Sequence, residues 1–171
     1  MNTQVGRGQV QRSDRLMPDE AAREFLKRCK VAHVATINTD GWPYVIPLAY
    51  VYEGDSKLFL HTGNIRPSQF LSNIQNDARV CLEVCEMGDV IPGQRYACQS
   101  SVVYTSVIAY GSLTILEDNE RKTWFFDRLW EKYGDPNWKF EQSGYPAIGK
   151  IVLYEMSLDT VTGKQSQGFR H

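Results

Sequence analysis

Hydrophobic and polar residues alternate along most of this chain, as they do in β-strands that bury one face. Turn signals such as Asp40-Gly41 interrupt the alternation and predict hairpins between antiparallel strands. We place strands at residues 31–37, 44–52, 57–62, 79–86, 101–116 and 149–158. Gly111 predicts a bend or bulge within the fifth of these strands. Because so many strand edges need protection, the pattern favours a closed or nearly closed β-barrel.

Three segments instead show the hydrophobic period of a helix. The first lies at residues 18–30, and the second begins directly after Pro67. The third runs from a cap at Asp118 or Asn119 to Tyr133. The fold class predicted is therefore mainly β with flanking helices. A long loop rich in Trp, Phe and Tyr follows at residues 135–148. Loops of this length usually carry a function or cover a site.

Length and charge narrow the class of protein. The 171 residues suit one domain, which we place at residues 16–171 behind an N-terminal arm at residues 1–15. The net charge of −1 gives no sign of a nucleic-acid partner. No apolar run reaches the roughly 18 residues of a membrane span, and the arm lacks the apolar core of a signal peptide. We therefore expect a cytoplasmic protein with neither nucleic-acid nor membrane partners.

Cys81 and Cys85 have a spacing that suggests a metal site at first sight. They lie in an alternating segment, however, and residues four apart on a strand are separated by about 13 Å. That distance is too long for a disulfide or for one zinc ion. We expect two buried thiols on one face of the sheet and no metal site.

The segment from Thr62 to Ser68 carries the clearest candidate chemistry. If Pro67 occupies the first turn of the helix, Arg66 is its approximate N-cap, and the first backbone amides point outwards. Such amides, two hydroxyl groups and a guanidinium suit a phosphate. The alternative is a capped surface helix with a solvated arginine.

Three further residues have both a structural and a functional interpretation. His61 ends a predicted strand beside this candidate site and is the only candidate for a catalytic group, but a strand histidine is more often structural. Pro47 cannot donate to a strand ladder, so it marks an edge or bulge where a ligand could approach the backbone. Ser106 is polar on an otherwise apolar face and could simply bind neighbouring backbone. Since no set of nucleophile and base is evident, an enzyme of this sequence would depend on a cofactor.

Several motifs together resemble the FMN-binding split-barrel superfamily, the pyridoxamine 5′-phosphate oxidase-like flavoproteins, and within it the branch of nitroimidazole-resistance proteins. The resemblance covers about residues 12–165. It is carried by VATI at 34–37, DGWPYVIPLAY at 40–50, LFLHT at 58–62, NDARVCLE at 76–83, and YTSV at 104–107 followed by Gly111.

The resemblance implies a six-stranded antiparallel split β-barrel that forms a homodimer with FMN at the interface. By position, the cofactor-binding residues would fall in three groups: Pro47, Leu48, Ala49, Tyr50 and Val51 along the flavin; His61, Thr62, Arg66 and Ser68 near the phosphate; and Ser106, Lys164 and Ser166, the last two reaching across from the partner subunit. Relatives carry basic residues just inside the helix after the histidine strand. Here that stretch is Pro67 to Phe70, so the phosphate charge would rest mainly on Arg66.

Two functions follow from the resemblance. The first is an FMN-dependent oxidoreductase that reduces a small organic substrate, with a nitro compound as a candidate and NAD(P)H as a candidate donor. The second is a flavin- or haem-binding protein of the same fold without turnover, in which His61 or His171 would be the axial ligand. The segment from Gly168 to His171 is too short a match to transfer pyridoxamine phosphate chemistry.

Overall fold

A computed structural model describes residues 6–63 and 68–168 of the chain. These residues form one antiparallel sheet and three α-helices. The strands are β1 (Ala32–Ile37), β2 (Pro43–Leu48), β3 (Tyr50–Gly54), β4 (Lys57–Gly63), β5 (Arg79–Ile91), β6 (Ser101–Leu116) and β7 (Ile151–Ser166). The helices are α1 (Asp19–Arg28), α2 (Gln69–Asn76) and α3 (Asn119–Tyr133).

The sheet has seven strands in the order β2-β1-β5-β6-β7-β4-β3, so the prediction of six strands is wrong. The strand predicted at residues 44–52 is in fact two. Its first part pairs with β1 and its second part pairs with β4, at the opposite edge of the sheet. Only Ala49 separates the two edge strands, so the sheet must curl until its edges meet. No pairing among the described strands joins those edges, and the barrel stays open along this line.

Local chemistry explains why the chain changes edge at Ala49. Pro47 lies in the edge strand β2, as predicted, because it has no N–H for a further ladder. The side chain of Tyr50 is fully buried in the core. Its hydroxyl group donates to the carbonyl of Leu26 near the end of α1. The backbone N–H of Tyr50 donates to the hydroxyl oxygen of Tyr133 over 3.0 Å, which anchors this turn to α3 as well.

Strands β5 and β7 are longer than the alternation predicted. β5 continues through residues 87–91 after a register shift, and β7 includes residues 159–166. β6 has the predicted bounds, and the predicted irregularity at Gly111 is confirmed as a register shift against β7. A Cβ atom at Gly111 would lie 1.7 Å from the carbonyl oxygen of Ser157, so only glycine fits this crossing.

Two apolar clusters hold the sheet and helices together. The larger cluster fills the inside of the curled sheet, where α1 inserts Phe25 and Leu26 and α2 inserts Phe70. The smaller cluster lies between the other face of β3 and β4 and the buried side of α3, around Phe59 and Phe125. In the described part of the chain, no helix is both long and apolar enough to cross a membrane.

The described part of the N-terminal arm packs on the strand pair β6 and β7. Leu16 forms a bridge with Lys164, and the N–H of Met17 donates to the carbonyl of Gly163 over 3.0 Å. Farther upstream, the guanidinium of Arg7 lies 5.7 Å from the ring centroid of Tyr110. The described part of the arm therefore contacts the sheet at more than one point.

Candidate functional site

The strand register places several of the predicted residues on one outward face of the sheet. Residues paired across antiparallel strands share a face. Pro47 pairs with His33, and Ser106 pairs with both Cys85 and Lys164. We call this surface of β2, β1, β5, β6 and β7 the outer face. Its exposed apolar side chains are Ile37, Val45, Met87 and Ile108.

The two thiols of β5 lie on the outer face and are both free. Cys81 is half-buried, but Cys85 is exposed, so the prediction that both would be buried is wrong for Cys85. Cys85 is exposed because no described helix or loop covers the outer face around it. Among the described residues, no cluster of histidine, cysteine and carboxylate groups could hold a metal ion.

Ser106 and Lys164 are neighbours on adjacent strands of the outer face. The phenol of Tyr104, the neighbour of Ser106 on the same face, lies beside two cations: Nη1 of Arg15 is 3.3 Å from its oxygen, and Nζ of Lys164 is 5.8 Å from its ring centroid. Burial acts to raise the pKa of Tyr104, but hydrogen bonds from Arg15 and Lys164 outweigh it and lower the pKa. The two cations therefore stabilise the ionised form of this phenol.

Two adjoining cavities lie between the arm and these strands. One has a volume of about 560 Å³ and is lined by residues 6–12 of the arm together with Ser106, Ile108 and Lys164. The second, also about 560 Å³, is lined by Arg12, Arg15 and residues 165–168. We call the pair the arm cavities. Volumes of 300–1,000 Å³ are typical of cofactor and small-molecule sites.

The arm cavities are strongly basic. Their cations come from the arm and from β7, and the single carboxylate among the described lining residues, Asp14, forms an ion pair with Arg12 over 2.7 Å. Hydroxyl groups of Ser106 and Ser166 lie among these charges. Cations with hydroxyl donors beside them are groups that bind phosphate esters. The cations are Arg7, Arg12, Arg15 and Lys164.

The second group of predicted residues lies at the end of β4 and the start of α2. The N-cap of α2 is Ser68, whose Oγ accepts from the N–H of Leu71 over 3.1 Å, so the prediction of Arg66 as the cap is wrong. Serine is a better cap than arginine because its short side chain places an oxygen atom within reach of the free amides of the first turn. Arg66 itself lies outside the described residues. Thr62 shares a 3.0 Å hydrogen bond with the hydroxyl group of Tyr154.

His61 faces away from Thr62 and lies under α3. Its ring is 5.3 Å from that of Phe125 and 5.6 Å from that of Phe126, measured between centroids. Burial lowers the pKa of His61, which favours the neutral ring, and its Nδ1 atom is buried without a hydrogen-bond partner among the described residues. His171, the other histidine considered as an axial ligand, lies outside the described residues.

The residues predicted along the flavin divide at Ala49. Pro47 is exposed on the outer face, and Leu48 and Ala49 are half-buried at the turn between the edges. Tyr50 and Val51 point into the two apolar clusters. Since Tyr50 pairs with Leu60, this turn lies next to the end of β4.

One subunit does not bring all the predicted residues together. Thr62 pairs with Val152, near the start of β7, whereas Lys164 is twelve residues farther along the same strand. That is about 40 Å of strand path. The β4–α2 end and the arm cavities are therefore separate places on one subunit.

The cations of the arm were missed by the sequence reasoning. Arginines recur through the first 15 residues, and their density was the available signal. Nothing in the pattern of alternation showed that the arm would return along β7. The contact depends on Gly163, where a Cβ atom would lie 2.7 Å from the Cβ of Ala22 and 2.9 Å from that of Met17.

Solved structures with a similar fold share little sequence with this chain. A candidate 5-nitroimidazole antibiotic resistance protein from Bacteroides thetaiotaomicron is 22% identical, with a TM-score of 0.71 over 88% of this chain and 86% of that one. The flavocytochrome Anf3 from Azotobacter vinelandii is 16% identical, with a TM-score of 0.80 over 96% and 76%. The FAD- and haem-binding protein from Mycobacterium smegmatis is 20% identical, with a TM-score of 0.73 over 90% and 74%. At these identities the likeness shows a common fold.

Sequence comparison gives the family. A comparison with curated proteins finds no significant match. The family model described as pyridoxamine 5′-phosphate oxidase matches residues 18–165, which span β1 to β7 and all three helices. The chain therefore belongs to the pyridoxamine 5′-phosphate oxidase-like family of split-barrel proteins.

Proposed function

We propose that this protein is an FMN-binding oxidoreductase that works as a homodimer and reduces a small organic substrate. The observation that carries the proposal is the pairing of Ser106 with Lys164 on the outer face, beside a cavity that the arm makes basic. This donor set fits the hydroxyl-rich and anionic parts of a flavin nucleotide. When bound, FMN would supply hydride and electron transfer.

The outer face supports a dimer. Its exposed apolar side chains include Val45, which is 54% exposed, and Met87, which is 73% exposed. A group of exposed apolar side chains on one face is typical of an interaction site. A second copy seated there would bring the β4–α2 end of one subunit towards the arm cavities of the other. Arg66, Thr62 and Ser68 would then hold the phosphate with Lys164 and Ser166 of the other copy, while Pro47, Leu48 and Ala49 would line the ring.

The remaining chemistry would come from the chain's own groups. Tyr104 lies between Arg15 and Lys164, which lower its pKa, so it is the best-placed group to hand a proton to a reduced substrate. A nitro compound is a candidate substrate, and NAD(P)H is a candidate donor of the electrons. We place the protein in the cytoplasm, where its four free thiols would stay reduced.

The absorbance spectrum of the purified protein tests the proposal. A flavin spectrum, with FMN identified by chromatography after heat release and a dimer in sedimentation analysis, is the expected result. A Soret band would indicate haem instead. A colourless protein that does not bind added FMN would contradict the proposal. Turnover is tested by following the loss of NADH or NADPH absorbance with a nitroaromatic compound in the absence of oxygen.

A further inference from the structure

The end of α3 carries an aromatic corner that has no part in the proposed flavin site. Trp130, in the last turn of the helix, meets Trp138 and Phe140 of the following loop. Trp130 and Trp138 are perpendicular, at 89° with ring centroids 5.6 Å apart, and Phe140 is tilted against Trp130 at 5.3 Å. The three rings are 41%, 53% and 66% exposed, in that order. Three large aromatic side chains thus stay in contact with water instead of entering the core.

Backbone hydrogen bonds after α3 shape this corner. The N–H of Gly134 donates to the carbonyl of Trp130 over 2.8 Å and ends the helix. A Cβ atom at Gly134 would lie 2.7 Å from that carbonyl oxygen, so glycine allows the loop to turn back tightly. Oδ1 of Asp135 then accepts from the N–H of Asn137 over 2.8 Å, and the N–H of Trp138 donates to the carbonyl of Asp135 over 3.0 Å.

The corner borders an open hollow of about 420 Å³ that is lined in part by acidic residues. Of the described residues that line it, the charged ones are Glu131 and Asp135. Glu131 forms an ion pair with Arg128 over 2.6 Å, whereas Oδ2 of Asp135 accepts no hydrogen bond from the described residues. This carboxylate attracts a cationic ligand more strongly than an uncharged one.

We propose that the corner formed by Trp130, Trp138 and Phe140 binds a methylated ammonium group, as found in choline-like small molecules. Two perpendicular rings offer two π-faces to one cation, and a cation over an aromatic face is attracted by the ring quadrupole. The methyl groups of a quaternary ammonium ion fill an apolar corner that a strongly hydrated ammonium would avoid. Asp135 adds charge complementarity without needing a donor on the ligand.

The test compares choline with its uncharged isostere 3,3-dimethylbutan-1-ol, using NMR signals of the four indole N–H groups in the full-length protein. Choline should shift the signals of Trp130 and Trp138 but not those of Trp42 and Trp124. Its dissociation constant should be at least tenfold lower than that of the alcohol. Equal affinity for the two compounds, or no shift of either corner indole, would overturn the proposal.

Variants distinguish choline binding at the corner from nonspecific binding to exposed tryptophans and from changes in the fold. Trp138→Ala should weaken choline binding at least tenfold, and Asp135→Asn, which keeps the Oδ1 acceptor of the turn, should weaken it severalfold. Trp42→Ala removes another exposed tryptophan, far from the corner in sequence, and should change nothing. FMN content and the oligomeric state should stay unchanged in all three variants. If Trp138→Ala instead converts a dimer into monomers, the corner is covered by a second copy and the proposal is wrong.

Discussion

Leu48 and Tyr50 are separated by one residue, yet they belong to the two opposite edge strands of the sheet. Leu48 pairs with Ala32 of β1, and Tyr50 pairs with Leu60 of β4. The chain therefore joins the two edges covalently where no pairing among the described strands joins them. The curl of the sheet depends on how firmly Tyr50 is held.

Replacing Tyr50 with phenylalanine tests that anchor. The variant keeps the buried ring but removes the hydroxyl group that donates to the carbonyl of Leu26. We expect the free energy of unfolding to fall by about 1–3 kcal/mol, because a buried carbonyl loses its partner. Urea unfolding at neutral pH measures the loss. Tyr52→Phe is the control: its hydroxyl group donates to the exposed carbonyl of Asp55 and accepts from Arg23, and both partners still bond to each other when it is removed, so the loss should be smaller.

The crossing of β6 and β7 at Gly111 gives a second prediction. Gly111→Ala would place a Cβ atom 1.7 Å from the carbonyl oxygen of Ser157, so the two longest strands would have to separate. We expect a loss of at least about 2 kcal/mol in urea unfolding, or no folded protein. Gly149→Ala is the matched control, because a Cβ atom added there would meet no described atom within 4 Å. Equal stability of the two variants would contradict this close crossing of the strands.

Alternation and turn residues were enough to predict most of the fold. The Asp-Gly hairpin, the edge position of Pro47 and the irregularity at Gly111 each follow from the stereochemistry of one or two residues. The division at Ala49 could not be predicted this way. Both halves of residues 44–52 alternate correctly, and the break is set by distant partners of Tyr50 in α1 and α3.

The candidate site was predicted less completely than the fold. Ser106 and Lys164 were expected near a cofactor from resemblance, and the register brings them opposite each other, while their role in binding stays a prediction. The contribution of Arg12 and Arg15 depends on the path of the arm along β7. That path is fixed by the close approach of Gly163 to Met17, a tertiary contact with no local signal in the sequence.

The half-buried ring of His61 predicts a dependence of stability on pH. Burial lowers its pKa in the folded protein below the value of about 6.5 in the unfolded chain. As the pH falls below about 6.5, the unfolded chain therefore binds more protons than the folded protein does, and the free energy of unfolding decreases. We expect urea unfolding to show a smaller decrease between pH 7.5 and pH 5 for His61→Phe than for the wild type.

A matched variant separates titration from packing in that experiment. Phe59→Leu removes a buried ring of the same apolar cluster, one that packs on Trp124, and leaves the titrating group and the rings around it in place. It should lower stability at both pH values and keep the wild-type decrease. An unchanged decrease in His61→Phe would mean that other groups cause the pH dependence.

Complementation between two variants tests whether one cofactor is held by two subunits. Lys164→Gln and Arg66→Ala should each weaken FMN binding by about 1.5–3 kcal/mol, the usual loss for a hydrogen bond to a charged group. Arg79→Gln is the control, because Arg79 is exposed and paired with Asp77. If the two residues come from different subunits, one of the two sites in each mixed dimer carries both native residues. Refolding the two variants together should therefore restore tight FMN binding in part of the sample, measured by quenching of flavin fluorescence. If both residues act from the same subunit, every site in the mixture lacks one of them, and mixing restores nothing.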